Sequence, residues 1–366
     1  MFDHAHYVPI LRWKRGERLA LCYLTPEISE LITPLIEIVP KAVVRENSLG
    51  KLAIGDKLLE ATAKDIFEHW GQRPFFLDLI LLDPILRSFS KLHPLEVLGR
   101  EGRRNGLWMV PVTGLWRDDA YQSAAKALVR QDQRGLCIRI HRKDIEQQDF
   151  KHHLTRLCSN FSLRYSQIDL VIDYQLIDKE VPNIAKIMKR IPQLQQWRTV
   201  TFICGTFLKY VSALEKNEQH TLPRTEWLAW REQIVAMPQG LRKPSYGDYT
   251  VQYPLYEPVR SGPPHISASI RYASTDYWVI MRGEDIFNPD GPGHQGYIGN
   301  AMLLIEREEF CGEDCCYGCA YIQRMAAQAE ETGNPGTWIL AGISHHLTTT
   351  ARQIANLSVT SVTDEP

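Results

Sequence analysis

Residues 136–174 read LCIRIHRKDIEQQDFKHHLTRLCSNFSLRYSQIDLVIDY and carry the alternation on which the fold prediction depends. Leu136–Ile140 and Ile168–Tyr174 are mostly apolar runs, which is typical of parallel strands buried on both faces. Between them, Phe150–Cys158 has the apolar spacing of an amphipathic helix. A strand, a helix and a second strand in this order predict two parallel strands joined by a crossover helix.

The same unit recurs on both sides of this stretch. The other runs that predict strands are YVPIL (7–11), LIEIV (35–39), FFLDL (75–79), WMVPV (108–112), TVTFIC (199–204) and YTVQY (249–253). Eight strands separated by helices predict an α/β fold, a (β/α)8 TIM-like barrel. An open doubly wound sheet is the alternative. Its dinucleotide-binding form is disfavoured because no Gly-x-Gly-x-x-Gly follows any strand.

The pattern changes after the eighth predicted strand. Ile266–Tyr272 and Tyr277–Arg282 are spaced like a β-hairpin, and helices are expected near 301–309, 317–331 and 338–356. We therefore expect a barrel over 1–260, a β-hairpin and helical C-terminal extension packed on it over 261–356, and a flexible tail over 357–366. A break in the first helical region is expected at Thr25-Pro26, where Thr25 suits an N-cap.

The charge balance limits the classes of partner. The chain has 366 residues with 42 Lys+Arg and 43 Asp+Glu, a formal net charge of −1, and 44% of its residues are hydrophobic. This composition is that of a folded globular chain and does not favour nucleic acid as the ligand. No membrane-spanning run or signal peptide is recognised, and scattered cysteines such as Cys137 resemble buried thiols, so we expect a cytoplasmic location.

Polar side chains at strand ends are the candidates for a catalytic site, because barrel sites lie at the carboxyl ends of the strands. Glu37, Asp78 and Asp173 each lie within an apolar strand, where a carboxylate is costly to bury unless it is paired or binds a ligand. They are candidate catalytic residues for metal or acid–base chemistry. A structural ion-pair network inside the barrel is the alternative interpretation.

Basic residues near the same strand ends suggest phosphate binding. The candidates for a ligand or phosphate site are Lys14, Arg139, His141, Arg142 and Arg271. A solvated loop explains a basic run of this kind equally well.

Half of the eight cysteines lie within nine residues, as Cys311, Cys315, Cys316 and Cys319. Four thiolates could hold zinc, and Cys316-x2-Cys319 has the usual spacing, with His345 or His346 able to complete the site. The alternative is a set of buried or redox-prone thiols. The two histidines follow Ser344, a candidate cap at a helix start; the alternative is an exposed helix turn.

Several separated motifs resemble the beta protein family of bacteriophages and bacteria, from about residue 5 to 356. They are Tyr7–Leu11, Lys14, Gly16-Glu17, Ala20-Leu21, Pro34–Glu37, Leu77-Asp78, Tyr246–Tyr249, Ile270–Tyr272, Arg282-Gly283, Gly342 and His345-His346. The resemblance transfers no catalytic residues. It implies a part in phage–host conflict and a gene context beside a small nuclease-like protein. The Cys-Cys-Tyr-Gly-Cys stretch departs from the Ser- and Asp-containing sequence expected of relatives.

Two functions follow as hypotheses. The first is a beta family protein of phage–host conflict, in antiviral defence or its phage counterpart, that recognises a partner protein or a phosphate-bearing ligand. The second is a metal-assisted phosphoester hydrolase with its carboxylate site at the mouth of the barrel. The cofactor is otherwise unknown. The expected partner is a protein, with the small nuclease-like protein as the candidate.

Overall fold

The structure is a computed structural model that describes residues 2–46, 52–177, 180–257, 266–328 and 331–360. Its strands are β1 (Ile10–Arg12), β2 (Leu35–Glu37), β3 (Val44–Glu46), β4 (Leu52–Ile54), β5 (Phe75–Asp78), β6 (Met109–Thr113), β7 (Leu136–His141), β8 (Ile168–Leu176), β9 (Thr199–Gly205), β10 (Glu218–Pro223), β11 (Ser245–Gly247), β12 (Ile270–Ala273) and β13 (Tyr277–Arg282). Its α-helices are α1 (Arg15–Cys22), α2 (Pro26–Glu30), α3 (Pro40–Val43), α4 (Asp56–Trp70), α5 (Pro94–Arg104), α6 (Asp119–Asp132), α7 (Arg142–Ile145), α8 (Phe150–Asn160), α9 (Ile184–Met188), α10 (Thr225–Val235), α11 (Gly296–Ile305), α12 (Tyr317–Ala326) and α13 (Pro335–Thr360).

Eight strands form one parallel sheet in the order β1-β2-β5-β6-β7-β8-β9-β11. The sheet closes between its ends: the amide of Val8 donates to the carbonyl oxygen of Tyr246 over 2.9 Å, and that of Ile10 donates to Asp248 over 2.8 Å. The hydroxyl of Tyr7 donates to Asp248 across the same seam. The predicted (β/α)8 barrel is thereby confirmed.

The barrel forms from apolar strands and from amphipathic helices with capped ends. All the residues of β5 are buried, as are the apolar residues of β7. In α4, Leu59, Ala63 and Ile66 are buried at helical spacing, and Asp118 caps α6 by accepting two backbone N–H bonds. The predicted break before α2 is also present, with Thr25 as the N-cap and Pro26 in the first turn.

The predicted eighth strand, 249–253, is wrong. Barrel strand β11 is Ser245–Gly247, which pairs with Thr201–Ile203. The segment that follows turns, since Thr250 has a φ of 54° and the amide of Gln252 donates to the Tyr249 carbonyl. A left-handed β-branched residue does not fit a strand. YTVQY has strand-forming composition, yet local turn geometry prevails there.

Among the described residues, the chain divides into two compact units. One holds 2–14, 32–204 and 230–248, and the other holds 15–31, 205–229 and 249–360. The second unit has a three-stranded antiparallel sheet in the order β10-β13-β12, whose side chains join a buried cluster with α11, α12 and α13 that includes Tyr272, Ile322 and Trp338. No helix described combines the length and apolar character of a bilayer-spanning helix.

In the C-terminal half, several element boundaries in the structure differ from those expected from the sequence. The hairpin is present, but its first strand begins at Ile270 and a further strand, β10, pairs with β13. The expected domain boundary at 260/261 lies outside the described residues. Helix α13 extends to Thr360, so residues 357–360 of the predicted flexible tail are helical, and 361–366 lie outside the described residues.

A partly buried histidine near the start of the barrel predicts acid sensitivity. Burial lowers the pKa of His6 from 6.5 to about 4, and His6 Nε2 lies 2.8 Å from Thr33 Oγ1. The folded state therefore favours neutral His6, and its contribution is complete above pH 6.5 and lost as the pH falls toward 4. We expect His6→Gln to recover up to about 3 kcal/mol of the unfolding free energy lost over that range. Urea titrations at pH 7 and 4.5 measure it. The exposed His152→Gln is the control; an equal gain there would contradict the prediction.

Candidate functional site

Three carboxylates meet at the carboxyl end of the barrel around Arg139, which is only 3% exposed. Arg139 Nη1 donates to Glu37 Oε1 over 2.8 Å and to Asp78 Oδ2 over 2.9 Å. Its Nε and Nη2 donate to Asp173 Oδ2 over 3.0 and 2.6 Å. One guanidinium therefore joins strands β2, β5, β7 and β8, and we call this group the Arg139 network.

Two further arginines complete the network. Arg117 Nη2 lies 2.7 Å from Asp78 Oδ1, and Arg12 Nε lies 3.6 Å from Glu37 Oε2. Three guanidinium charges balance three carboxylate charges. Carboxylates already bound to arginines have little capacity left for a metal ion, which needs several free oxygen ligands.

His141 borders the network at the end of β7. Its Nδ1 lies 3.5 Å from Asp173 Oδ2, and its amide donates to Asp144 Oδ2 at the start of α7. Burial lowers the pKa of His141, Asp173 opposes that shift, and Arg139 adds to it. The neighbouring Trp116 indole donates to Asp144 Oδ1 over 2.7 Å.

A separate cavity of about 300 Å³ lies within the second unit beside the sheet of β12 and β13. Register explains its lining: Arg271 pairs with Ile280, so Ser269 and Arg271 share a face of the sheet with Arg282. Ser267, Ser212 and Asp285 add polar groups. We call this space the Arg271–Arg282 cavity.

Neither arginine of this cavity is paired with a carboxylate among the described residues. Arg271 Nη1 donates to the Val251 carbonyl oxygen over 2.7 Å, and its guanidinium lies over the Phe207 ring. Arg282 is 4% exposed, its Nη1 donates to the adjacent Gly283 carbonyl, and its buried Nε has no hydrogen-bond partner in the described chain. Burial lowers the pKa of Arg271 to about 10 and also lowers the pKa of Arg282, where the Asp285 carboxylate opposes the shift. Arginine side chains are cationic at neutral pH.

A third group gathers the C-terminal cysteines around one histidine. The Sγ atoms of Cys311, Cys315 and Cys319 and one ring nitrogen of His345 all lie within 4.8 Å of one another. Cys316 Sγ lies 3.5 Å from Cys319 Sγ, and Cys311 and Cys315 form a disulfide. We call these five residues the cysteine cluster.

The order of motifs along the chain matches one family over nearly its whole length. The sequence model of the family described as Beta protein matches residues 7–352. The chain belongs to the beta protein family. None of the curated proteins matches the sequence.

Two proteins of solved structure are among those similar to this beta family member. Triosephosphate isomerase from Bartonella henselae is 11% identical with a TM-score of 0.33, over 66% of this chain and 91% of its own. Two mutants of the tryptophan synthase α-subunit from Pyrococcus furiosus are 11% and 12% identical, each with a TM-score of 0.36 over 69% of this chain and 90% of theirs.

The residues predicted from sequence are thus divided among separate places. Glu37, Asp78, Asp173 and Arg139 meet in one network, with His141 beside it. Arg142 is exposed and pairs with Glu146 over 2.7 Å, and Lys14 is exposed. Arg271 lines the cavity of the second unit.

The structure corrects the helix position and the exposure expected of the histidine pair. His345 and His346 lie in the middle of α13, not at a helix start, and are 1% and 0% exposed. His345 faces the cysteine cluster, whereas His346 stacks on Trp278 with ring centroids 5.0 Å apart. Consecutive residues of an α-helix point about 100° apart, so the two neighbouring histidine side chains lie in different environments.

Two arginines of these sites were not predicted from the sequence. Arg117 lies in the loop after β6, where spacing gives no sign that it reaches Asp78. Arg282 ends an apolar strand, and the alternation Ser267-x-Ser269-x-Arg271 opposite it was the available signal for a polar face.

Proposed function

We propose that this beta family protein acts in phage–host conflict by recognising a phosphate-bearing ligand in the Arg271–Arg282 cavity. The observation that carries the proposal is the pair of guanidinium groups that face one cavity and form no carboxylate ion pair within the described residues, although the Asp285 carboxylate opposes the lowering of the Arg282 pKa. A buried cation that lacks a counter-ion is costly, and a bound anion removes that cost. Guanidinium groups suit phosphate because their N–H donors match two of its oxygens.

The surrounding groups support an oxyanion rather than an apolar ligand. The Ser267 and Ser269 hydroxyls are 2.8 Å apart, and hydroxyls of this kind donate readily to phosphate oxygens. The carboxylate of Asp285 also lines the cavity and accepts the amide of Phe287 over 3.0 Å; its charge opposes an anion, and the two guanidinium charges exceed it. A volume of about 300 Å³ holds a phosphate with a small attached group.

The metal-assisted phosphoester hydrolase is the weaker of the two hypotheses. Its residues Glu37, Asp78 and Asp173 are already bound to arginines, and they are not among the described groups that could hold a metal ion. We therefore assign the Arg139 network a structural role and phosphate recognition to Arg271 and Arg282. In this proposal Lys14, His141 and Arg142 contribute no direct ligand contact.

Phosphate binding tests the proposal directly. We expect Arg282→Met to weaken binding of inorganic phosphate or a mononucleotide to the full chain at least tenfold, because the variant keeps the length of the side chain and removes the charge. Isothermal titration at fixed salt measures the affinity. Arg142→Met is the matched control, with unchanged affinity expected because Arg142 is exposed and pairs with Glu146.

Phage challenge links binding to biology. We expect a host that expresses the wild-type chain to give a different plaque count from a host without it. That difference should disappear when Arg282→Met replaces the wild type. Phosphate compounds that bind neither protein, or equal affinity in both, would contradict the ligand proposal. If a protein such as a small nuclease-like partner copurifies equally with the wild type and with Arg282→Met, the result would instead favour recognition of a protein.

A further inference from the structure

We propose that the reduced cysteine cluster binds one zinc ion through the thiolates of Cys311, Cys316 and Cys319 and through Nδ1 of His345. Cys311 and Cys316 precede α12, Cys319 lies in its first turn, and the fourth ligand comes from α13. This arrangement joins two separate parts of the chain, as structural zinc sites do.

Five of the six distances between the proposed ligand atoms lie near the edge lengths of a zinc tetrahedron. Zinc–ligand bonds of about 2.0–2.3 Å place neighbouring ligand atoms roughly 3.5–3.8 Å apart. Cys319 Sγ lies 3.4 Å from Cys311 Sγ and 3.5 Å from Cys316 Sγ. Nδ1 of His345 lies 3.9, 3.8 and 3.2 Å from the sulfur atoms of Cys311, Cys316 and Cys319.

The imidazole is already oriented as a ligand. Nε2 of His345 lies 2.7 Å from the Ala273 carbonyl oxygen and donates to it, which leaves the lone pair of Nδ1 facing the sulfur atoms. The Tyr272 ring stacks on the imidazole with centroids 3.8 Å apart. A second nitrogen that donates to a backbone carbonyl is the usual support of a metal-bound histidine.

Hydrogen-bond donors also contact the sulfur atoms of the proposed ligands. The Tyr272 hydroxyl donates to Cys311 Sγ over 3.3 Å, and the Cys319 amide donates to Cys316 Sγ over 3.5 Å at the start of α12. Both bonds stabilise negative charge on sulfur, which zinc ligation requires. His345 and Cys319 are almost fully buried, so the site excludes water on that side.

Cys315 is the thiol left outside the ligand set. It forms the disulfide with Cys311, and Arg352 Nη1 lies 3.6 Å from its Sγ. Zinc binding needs this pair reduced: a dithiol reductant supplies two electrons and two protons, is itself oxidised to a disulfide, and returns two thiols. Cys311, Cys316 and Cys319 then each release a proton as they bind the metal.

Metal analysis of the full-length protein, purified with a dithiol reductant and zinc, tests the site. We expect one zinc per chain by mass spectrometry, and at least a tenfold lower zinc content in Cys316→Ser and Cys319→Ser. Cys315→Ser and the exposed Cys22→Ser are the matched controls and should retain zinc. Reduced wild type without zinc would overturn the proposal, as would loss of zinc in Cys315→Ser together with its retention in Cys316→Ser.

Two measurements remain decisive if a serine variant fails to fold. In the wild type, bound zinc should protect Cys311, Cys316 and Cys319 from alkylation while Cys22 and Cys315 react, and a chelator should abolish that protection. Cys316→His keeps four ligands, so its cobalt(II) form should stay tetrahedral with weaker sulfur-to-metal charge-transfer absorption. Equal alkylation with and without zinc, or an unchanged cobalt spectrum in Cys316→His, would refute the assignment.

Discussion

Replacing Arg139 with methionine is expected to lower the unfolding free energy by about 3–5 kcal/mol. Arg139 donates to Glu37, Asp78 and Asp173, and all three carboxylates are at most 2% exposed. Methionine fills much of the same space but leaves three buried negative charges facing one another. Two arginines remain: Arg117 pairs with Asp78, and Arg12 lies 3.6 Å from Glu37.

Urea unfolding followed by far-UV circular dichroism measures this loss. The matched control is Arg142→Met, three residues along the chain, where the arginine is exposed and pairs with Glu146 one helical turn away. There we expect a change within about 0.5 kcal/mol. A loss below about 1 kcal/mol for Arg139→Met would show that the network contributes little to stability.

A double variant separates charge from packing. Adding Asp173→Asn to Arg139→Met removes one of the three buried negative charges, so the double variant should recover part of the lost stability. If the recovery is absent, the loss arises from packing and not from uncompensated charge.

Gly247→Ala is expected to destabilise the barrel by about 3 kcal/mol. A Cβ atom at Gly247 would lie 2.5 Å from the Val8 carbonyl oxygen and 2.6 Å from Ile203 Cγ1. The first of these atoms belongs to the backbone of the segment that pairs with β11, so relief requires the two sides of the seam to separate.

Thermal unfolding compares this variant with Gly299→Ala. Gly299 lies inside α11, and a Cβ there meets nothing within 4 Å. That control should raise stability by about 0.5–1 kcal/mol, because alanine loses less backbone entropy on folding. Equal effects at the two glycines would show that the close approach at the seam is not a constraint.

The sequence predicts the barrel well where strands are continuous apolar runs. LIEIV, FFLDL, LCIRI and IDLVIDY each contain a barrel strand. Ser245–Gly247 was missed because three residues of mixed character carry no periodic signal. Strand β10, Glu218–Pro223, was missed because most of its residues are exposed and polar, and its pairing with β13 is a tertiary effect.

The sites were predicted in part for a related reason. A carboxylate inside an apolar strand signals a buried partner, so Glu37, Asp78 and Asp173 were identified as a group. The sequence could not show that their partner is an arginine network, since Arg117 approaches from a loop. His345 was named with the cysteines and lies in a predicted helix, but its separation from His346 depends on the packing of α13.

Barrel closure has a consequence for synthesis of the chain. Tyr7 and Asp248, which bond across the seam, are 241 positions apart in sequence. Almost the whole barrel must therefore leave the ribosome before the first segment of the barrel can pair with β11. Until then the emerging sheet keeps two open edges. Because closing so long a loop is slow, we expect the nascent chain to depend on chaperones during translation, and a circular permutant opened elsewhere on the barrel to change that dependence.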